Sequence, residues 1–187
     1  MDQPLRGPFL RDLSPQDPWS PRSGEICGDV DFELIELMFF AYRDFVRDAD
    51  RLLEGFGFGR AHHRVLHFVS RSPGLSIAEL LDILQITKQS LNRVLKDLLD
   101  QGYVDAAPGE SDRRQRRLYA TGRGRALAFE AARVQSKRFA RVFEEQGSPS
   151  RDAARSFLLA MIDESGREVP LSVPARSGAP GRRARKA

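Results

Sequence analysis

Between Thr87 and Lys96 the chain places side chains suited to nucleic-acid chemistry at helical spacing, in the stretch TKQSLNRVLK. Gln89 and Asn92 carry amides that can pair bidentately with N6 and N7 of adenine in a major groove. Lys88, Arg93 and Lys96 offer cations to phosphates or guanine edges, and Thr87 and Ser90 offer hydroxyls. A second basic group, SDRRQRR, holds Arg113, Arg114, Arg116 and Arg117. A third set, Arg60, His63, Arg64, His67 and Arg71, recurs at i, i+3, i+4, i+7 and i+11 as one polar stripe. His63 and His67 have the i, i+4 spacing that can hold a metal. The arginines on their stripe repel a cation and no carboxylate lies nearby in sequence, so no metal is expected. A structural stripe or part of a site for an anionic effector is the preferred reading, with Arg43, His63 and His67 as the effector set.

These residues need elements to position them. Ser76 followed by Glu79 is a capping box that opens a short helix, about Ile77 to Leu84. Gln85-Ile86 is a turn, and Thr87 caps a second helix. Leu91, Val94, Leu95, Leu98 and Leu99 recur as one buried stripe of that helix, which leaves the amides and cations on the other face. Gly102 ends it as a C′ glycine. Two short helices with a tight turn, the second polar and basic outside, form a helix-turn-helix. Tyr103–Ala106 and Leu118–Ala120 read as strands, and the turn-rich loop that begins at Pro108-Gly109 carries the arginines. A basic hairpin after a reading helix is a wing, lying along the backbone or entering the minor groove.

The residues ITKQSLNRVLKDLLDQGYV, SDRRQRR and ATGRG resemble the MarR family of bacterial transcription regulators, over about Asp31 to Ser165. The family's wing signature pairs an Asp with an Arg two residues on; here these are Asp112 and Arg114. The resemblance implies that Asp112 braces the wing, that Arg114 reaches the minor groove, and that the protein is a dimer. Ala120-Thr121 departs from the family's usual Leu-Thr. The expected DNA-contacting set is Thr87, Lys88, Gln89, Ser90, Asn92, Arg93, Lys96, Asp112, Arg113, Arg114 and Arg116.

The rest of the chain frames this centre. Its 187 residues, 41% hydrophobic, suffice for one domain with a real core. The formal charge is +4, and Gln85 to Arg125 alone holds nine Lys/Arg against five Asp/Glu, so the basic excess sits where DNA contact needs it. One Cys excludes an internal disulfide framework and fits a reducing cytoplasm. Met1 to Gly24 has no apolar h-region, so no signal peptide is expected. The apolar run from Leu37 to Tyr42 is too short to span a membrane, and no membrane partner is expected. Residues 1–29, with Pro4, Pro8, Pro15, Pro18 and Pro21, read as a disordered arm. Trp19 is read there as an exposed aromatic, in preference to one docked on the body or a partner.

Asp31 caps a long helix to Glu54 that is apolar nearly all round, including Phe32, Ile35, Phe39, Tyr42, Val46, Ala49 and Leu53. Such a helix must be buried on nearly all sides, and a second copy of the chain is the expected cover. GFGFG, Gly55 to Gly59, is a loop, and the next helix runs from Arg60 to Arg71 with Ala61, Val65, Phe68 and Val69 inward. Gly122 and Gly124 lead into a helix of about Arg125 to Gln146, with Leu127, Ala131, Val134, Phe139, Val142 and Phe143 apolar. A last helix, about Arg151 to Ser165, buries Ala154, Phe157, Leu158, Met161 and Ile162. Residues 169–187 read as a disordered basic tail. The fold expected is mainly α with a small β-hairpin wing: a winged helix-turn-helix domain over 30–168, DNA-binding core about 60–121, flanked by dimerisation helices.

The function expected is a sequence-specific DNA-binding regulator, a homodimer answering to a small, anionic effector. No nucleophile–base pair or paired carboxylates emerge; His62, His63, His67 and Cys27 are the only candidates, so neither catalysis nor a cofactor is expected. Two alternatives stand beside it. One is a thiol redox sensor using Cys27, against which Glu25 and Asp29 disfavour the thiolate. The other is a non-specific architectural protein, against which the amides of Gln89 and Asn92 argue for base readout.

Overall fold

A computed structural model of the protein describes residues 30–109, 115–146 and 150–163. The expectations for the arm with Trp19 and Cys27, for Asp112, Arg113 and Arg114, and for the basic tail lie outside the described residues. Among the described residues six helices and three strands follow in order: α1 Phe32–Glu54, α2 Arg60–Arg71, β1 Leu75–Ser76, α3 Ile77–Leu84, α4 Lys88–Asp100, β2 Val104–Pro108, β3 Arg116–Ala120, α5 Gly122–Gln146 and α6 Ser150–Met161. The chain divides into two units, 1–43 and 44–187, and α1 passes through the division.

In the first unit, Asp31 opens α1 by accepting the N–H of Leu34 at 2.9 Å. This half of α1 leaves Leu34, Leu37, Phe39, Phe40 and Tyr42 between 52% and 68% exposed. The burial expected for the helix is met within the single chain only in its second half, at Val46, Ala49 and Leu53.

In the second unit the helix-turn-helix is set by local bonds. Ser76 Oγ accepts the N–H of Glu79 at 3.2 Å, and the Glu79 carboxylate accepts the N–H of Ser76 at 2.7 Å. Gln85 closes α3 in the left-handed region at φ 50°. Thr87 Oγ1 accepts the N–H of Ser90 at 3.2 Å and opens α4. At the far end of α4 the N–H of Gly102 (φ +70°) bonds the Leu99 carbonyl and that of Tyr103 the Leu98 carbonyl, a Schellman stop. Leu91, Val94, Leu95 and Leu98 are buried and Leu99 half-buried, in one core with Val65, Leu66, Val69, Leu80, Leu84, Tyr103 and Leu118.

The wing is a three-stranded antiparallel sheet in the order β1-β3-β2. Val104 faces Ala120 and Pro108 faces Arg116, while Leu75 and Ser76 face Leu118 and Arg117. Several expectations are corrected here. β1 was not expected, because two residues carry no period. Pro108 ends β2 and does not begin the loop, and Arg116 and Arg117 belong to β3. Proline is tolerated at an end of this edge strand. Ala61 is exposed, whereas Leu66 and Phe58 are buried. α6 ends at Met161, and Phe157, Leu158 and Met161 are exposed, as is Phe139 on α5.

α5 begins at Gly122, three residues earlier than expected, because Thr121 caps it: its Oγ1 accepts the N–H of Gly124 at 3.0 Å. Gly124 lies inside this first turn for a steric reason. A Cβ there would stand 2.0 Å from the Tyr103 carbonyl oxygen, whereas one at Gly122 would meet open space. Gly124→Ala is therefore expected to lower stability by about 1–3 kcal/mol or more. Gly122→Ala should be neutral or stabilising by up to about 1 kcal/mol. Urea unfolding of the two variants checks this; equal midpoints would refute the close approach.

Candidate nucleic-acid interface

The stripe that packs α4 into the core turns its other side out. Lys88, Gln89, Ser90, Asn92, Arg93 and Lys96 are all exposed, as is the cap residue Thr87. Two of these are tied within the helix start: Thr87 Oγ1 donates to Ser90 Oγ at 2.9 Å. Lys96 is paired with Asp100 one turn on, and that bond and the carboxylate's charge hold its ammonium above its usual range. The helix-turn-helix is braced from behind, where Arg64 of α2 donates to the last carbonyl of α3, Leu84, at 2.8 Å.

β2 and β3 bring a wing beside this face. Gly109 N–H donates to the Gln115 carbonyl at 2.8 Å, joining the end of β2 to the start of β3. A groove of about 280 Å³ runs between α4 and the sheet, with Leu95, Leu99, Ala106 and Leu118 in its walls and Asn92, Lys96 and Arg116 at its polar edge. The structure thus brings the amide of Asn92 on α4 and Arg116 of the hairpin to one surface. Arg117, placed in the loop by its sequence position, faces away from it. It donates to the Gly74 carbonyl at 3.2 Å and to the Glu79 carboxylate at 3.1 Å, tying β3 to the start of α3. Sequence reading missed this brace because its partners lie 43 and 38 residues away.

The histidine stripe divides. His63 is buried and His67 half-buried, with ring centroids 6.3 Å apart. Arg60 turns instead to Asp50, donating at 2.8 and 3.1 Å. Burial, then the neighbouring His67, pushes His63 below the ordinary imidazole range, opposed by Asp50 on α1. Burial, then Arg71, does the same to His67. Arg43 lies on the first half of α1 with its guanidinium 4.9 Å from the centre of the Phe40 ring. Among the described residues no three His, Cys, Asp or Glu are grouped to hold a metal ion, and no helix is long and apolar enough to cross a membrane.

Comparison with known proteins adds to this geometry. Residues 56–115 match the model of the MarR family. The chain is 44% identical over 133 residues to the HTH-type transcriptional regulator PetP of Rhodobacter capsulatus, covering 71% of this chain and 80% of PetP. Over 84 residues it is 40% identical to the HTH-type transcriptional repressor Rv2887 of Mycobacterium tuberculosis, covering 45% of this chain and 60% of that one. The crystal structure of Rv2887 with p-aminosalicylic acid aligns at a TM-score of 0.52 and 30% identity, covering 68% of this chain and 96% of Rv2887. A MarR transcriptional regulator from Methanosarcina mazei aligns at 0.60 and 25% identity, covering 68% and 92%.

Two measurements follow from the geometry. Asn92→Ala should cost about 1–3 kcal/mol on a cognate duplex and relax preference at one base pair. Arg116→Ala should weaken cognate and scrambled duplexes alike and flatten the log–log salt slope by about one. Equal behaviour of the two variants would sink the division between reading and holding. The histidines set a pH dependence. Their folded-state affinity for protons is lowered, so the unfolded chain takes up protons first, near pH 6.5. Stability is then full above about pH 6.5 and declines as pH falls below it. Urea midpoints between pH 8 and pH 5 should drop for wild type and less for His63→Leu; parallel curves would refute it.

Proposed function

The chain belongs to the MarR family of transcriptional regulators, and on that premise we propose that it acts as a homodimer, reads a DNA site with two related halves, and answers to a small ligand. The observation that carries the dimer is the apolar surface that the single chain leaves uncovered. Phe39 on α1 is 68% exposed, and Phe157, Leu158 and Met161 on α6 are 51%, 46% and 55% exposed. Exposed apolar residues on each of these helices mark an interaction site, and removing them from water gains roughly 25 cal/mol per Å². A second copy of the chain is the proposed cover. Two copies would then present two α4 helices to one face of the duplex, about one helical turn or roughly 10 bp apart.

The DNA contacts proposed are those of the exposed face of α4 with Thr87, together with Arg116 and the hairpin residues Asp112, Arg113 and Arg114. The amides of Gln89 and Asn92 give the base preference that a regulator needs and a non-specific architectural protein does not. The relative Rv2887 has been crystallised with salicylic acid and with p-aminosalicylic acid. For this chain an anionic effector is likewise proposed. His63 and His67 enter that proposal as neutral hydrogen-bonding groups, since burial holds them below their ordinary range. A ligand acts only through a difference in affinity for the DNA-bound and free arrangements.

The test combines sedimentation with footprinting. Wild type is expected as a dimer at micromolar concentration, and Phe39→Asp, which sets a charge in the seam at a cost of several kcal/mol, as a monomer. Footprints on sites selected from random duplexes should show two half-sites in pseudo-palindrome. A monomeric wild type, or a single short unsymmetrical site, would overturn the proposal.

A further inference from the structure

His62 is the third residue of α2, and its ring is held from three directions. Its Nδ1 lies 3.2 Å from the N–H of Gly59, which donates to it and so caps the helix. Gly59 has no side chain to return the bond. Since Nδ1 accepts, the ring proton of the neutral imidazole sits on Nε2. That atom points at Asp97 Oδ2 on α4, 3.2 Å away. The flat face of the ring stacks on Phe58 at 4.9 Å and 24°. Phe58 is 2% exposed and meets the edge of Tyr103, whose N–H closes α4, at 4.9 Å.

Asp97 is otherwise poorly placed for a DNA-reading helix. A carboxylate in the second half of a helix opposes the helix dipole. One beside Lys96 also adds negative charge where phosphates are to approach. Its bond to His62 gives it a use. We propose that His62 and Asp97 form a positioning pair that seats the reading helix α4 on the start of α2. This rests on the reading of α4 as the DNA-contacting helix. The pair acts through a directed hydrogen bond: a neutral Nε2–H needs an acceptor, and charge on that acceptor is dispensable.

The charge and the bond are separable by substitution. Asp97→Asn removes the charge and keeps an acceptor oxygen; Asp97→Ala removes both. Duplex affinity is expected to be unchanged or higher for Asp97→Asn. For Asp97→Ala it should fall about three- to tenfold, the weight of one hydrogen bond. His62→Ala should fall similarly, and the double Ala variant little further. If Asp97→Ala binds as tightly as Asp97→Asn, removal of repulsion is the whole effect and the pair is refuted. Nitrogen NMR of the full chain gives a readout independent of DNA. The Nε2–H tautomer of His62 is expected in wild type and in Asp97→Asn; the Nδ1–H tautomer in wild type would refute the pair. Amide exchange over Asp97–Tyr103 should quicken in Asp97→Ala and not in Asp97→Asn. A wild type that binds no duplex would overturn the DNA reading by itself, leaving tautomer and exchange to decide the pairing.

Discussion

The way α4 is stopped governs what it can present. Within a few residues the chain leaves α4, starts β2 and receives the beginning of α5. Gly102 takes the left-handed conformation that turns the backbone, and Tyr103 is drawn under the core at 1% exposure. The Tyr103 carbonyl then occupies the space in which any side chain at position 124 would stand. Thr121 Oγ1 donates to the Gly102 carbonyl at 2.8 Å while it caps α5, and the Arg123 guanidinium lies 4.2 Å from the centre of the Tyr103 ring. The end of α4, β2 and the start of α5 are therefore one packed junction. A tilt of α5 and a shift of α4 are not independent motions, because no slack separates them.

The other end of the helix-turn-helix is held by charge. The Glu79 carboxylate receives the Ser76 N–H and the Arg117 guanidinium at once. One side chain thus caps α3 and fixes the strand that carries Arg116. The pair is part exposed, and such pairs contribute little to global stability. Its effect is geometric: it sets where the hairpin stands beside α4. Arg138 and Asp48 make a comparable tie between α5 and the second half of α1, at 2.7 and 2.9 Å.

What the sequence revealed follows the reach of its interactions. The bounds of α3 and α4 were legible because their signals are local: Ser76 with Glu79, the cap residue Thr87, and the glycine after α4. The outward face of α4 followed from its apolar stripe. What failed depends on distance in the chain or on counting too few residues. A two-residue strand has no pattern. Arg117 reads as one more wing cation until Gly74 and Glu79 are folded against it. Gly124 reads as part of the turn that leads into the long helix until the Tyr103 carbonyl shows why nothing larger fits. On α6, apolar spacing marked Phe157, Leu158 and Met161 as buried, but periodicity does not say whether the cover belongs to the same chain.

The Lys96–Asp100 pair has a bearing on how strongly the helix takes up any polyanion. An ammonium already bonded to a carboxylate is no idle charge waiting for any polyanion. A phosphate that approaches Lys96 shares its three N–H donors with Asp100 and must stand beside that carboxylate's charge, which reduces the gain. On the proposed DNA reading the same discount falls on matched and unmatched duplexes alike, so the pair would lower backbone affinity at Lys96 and leave base preference to the amides.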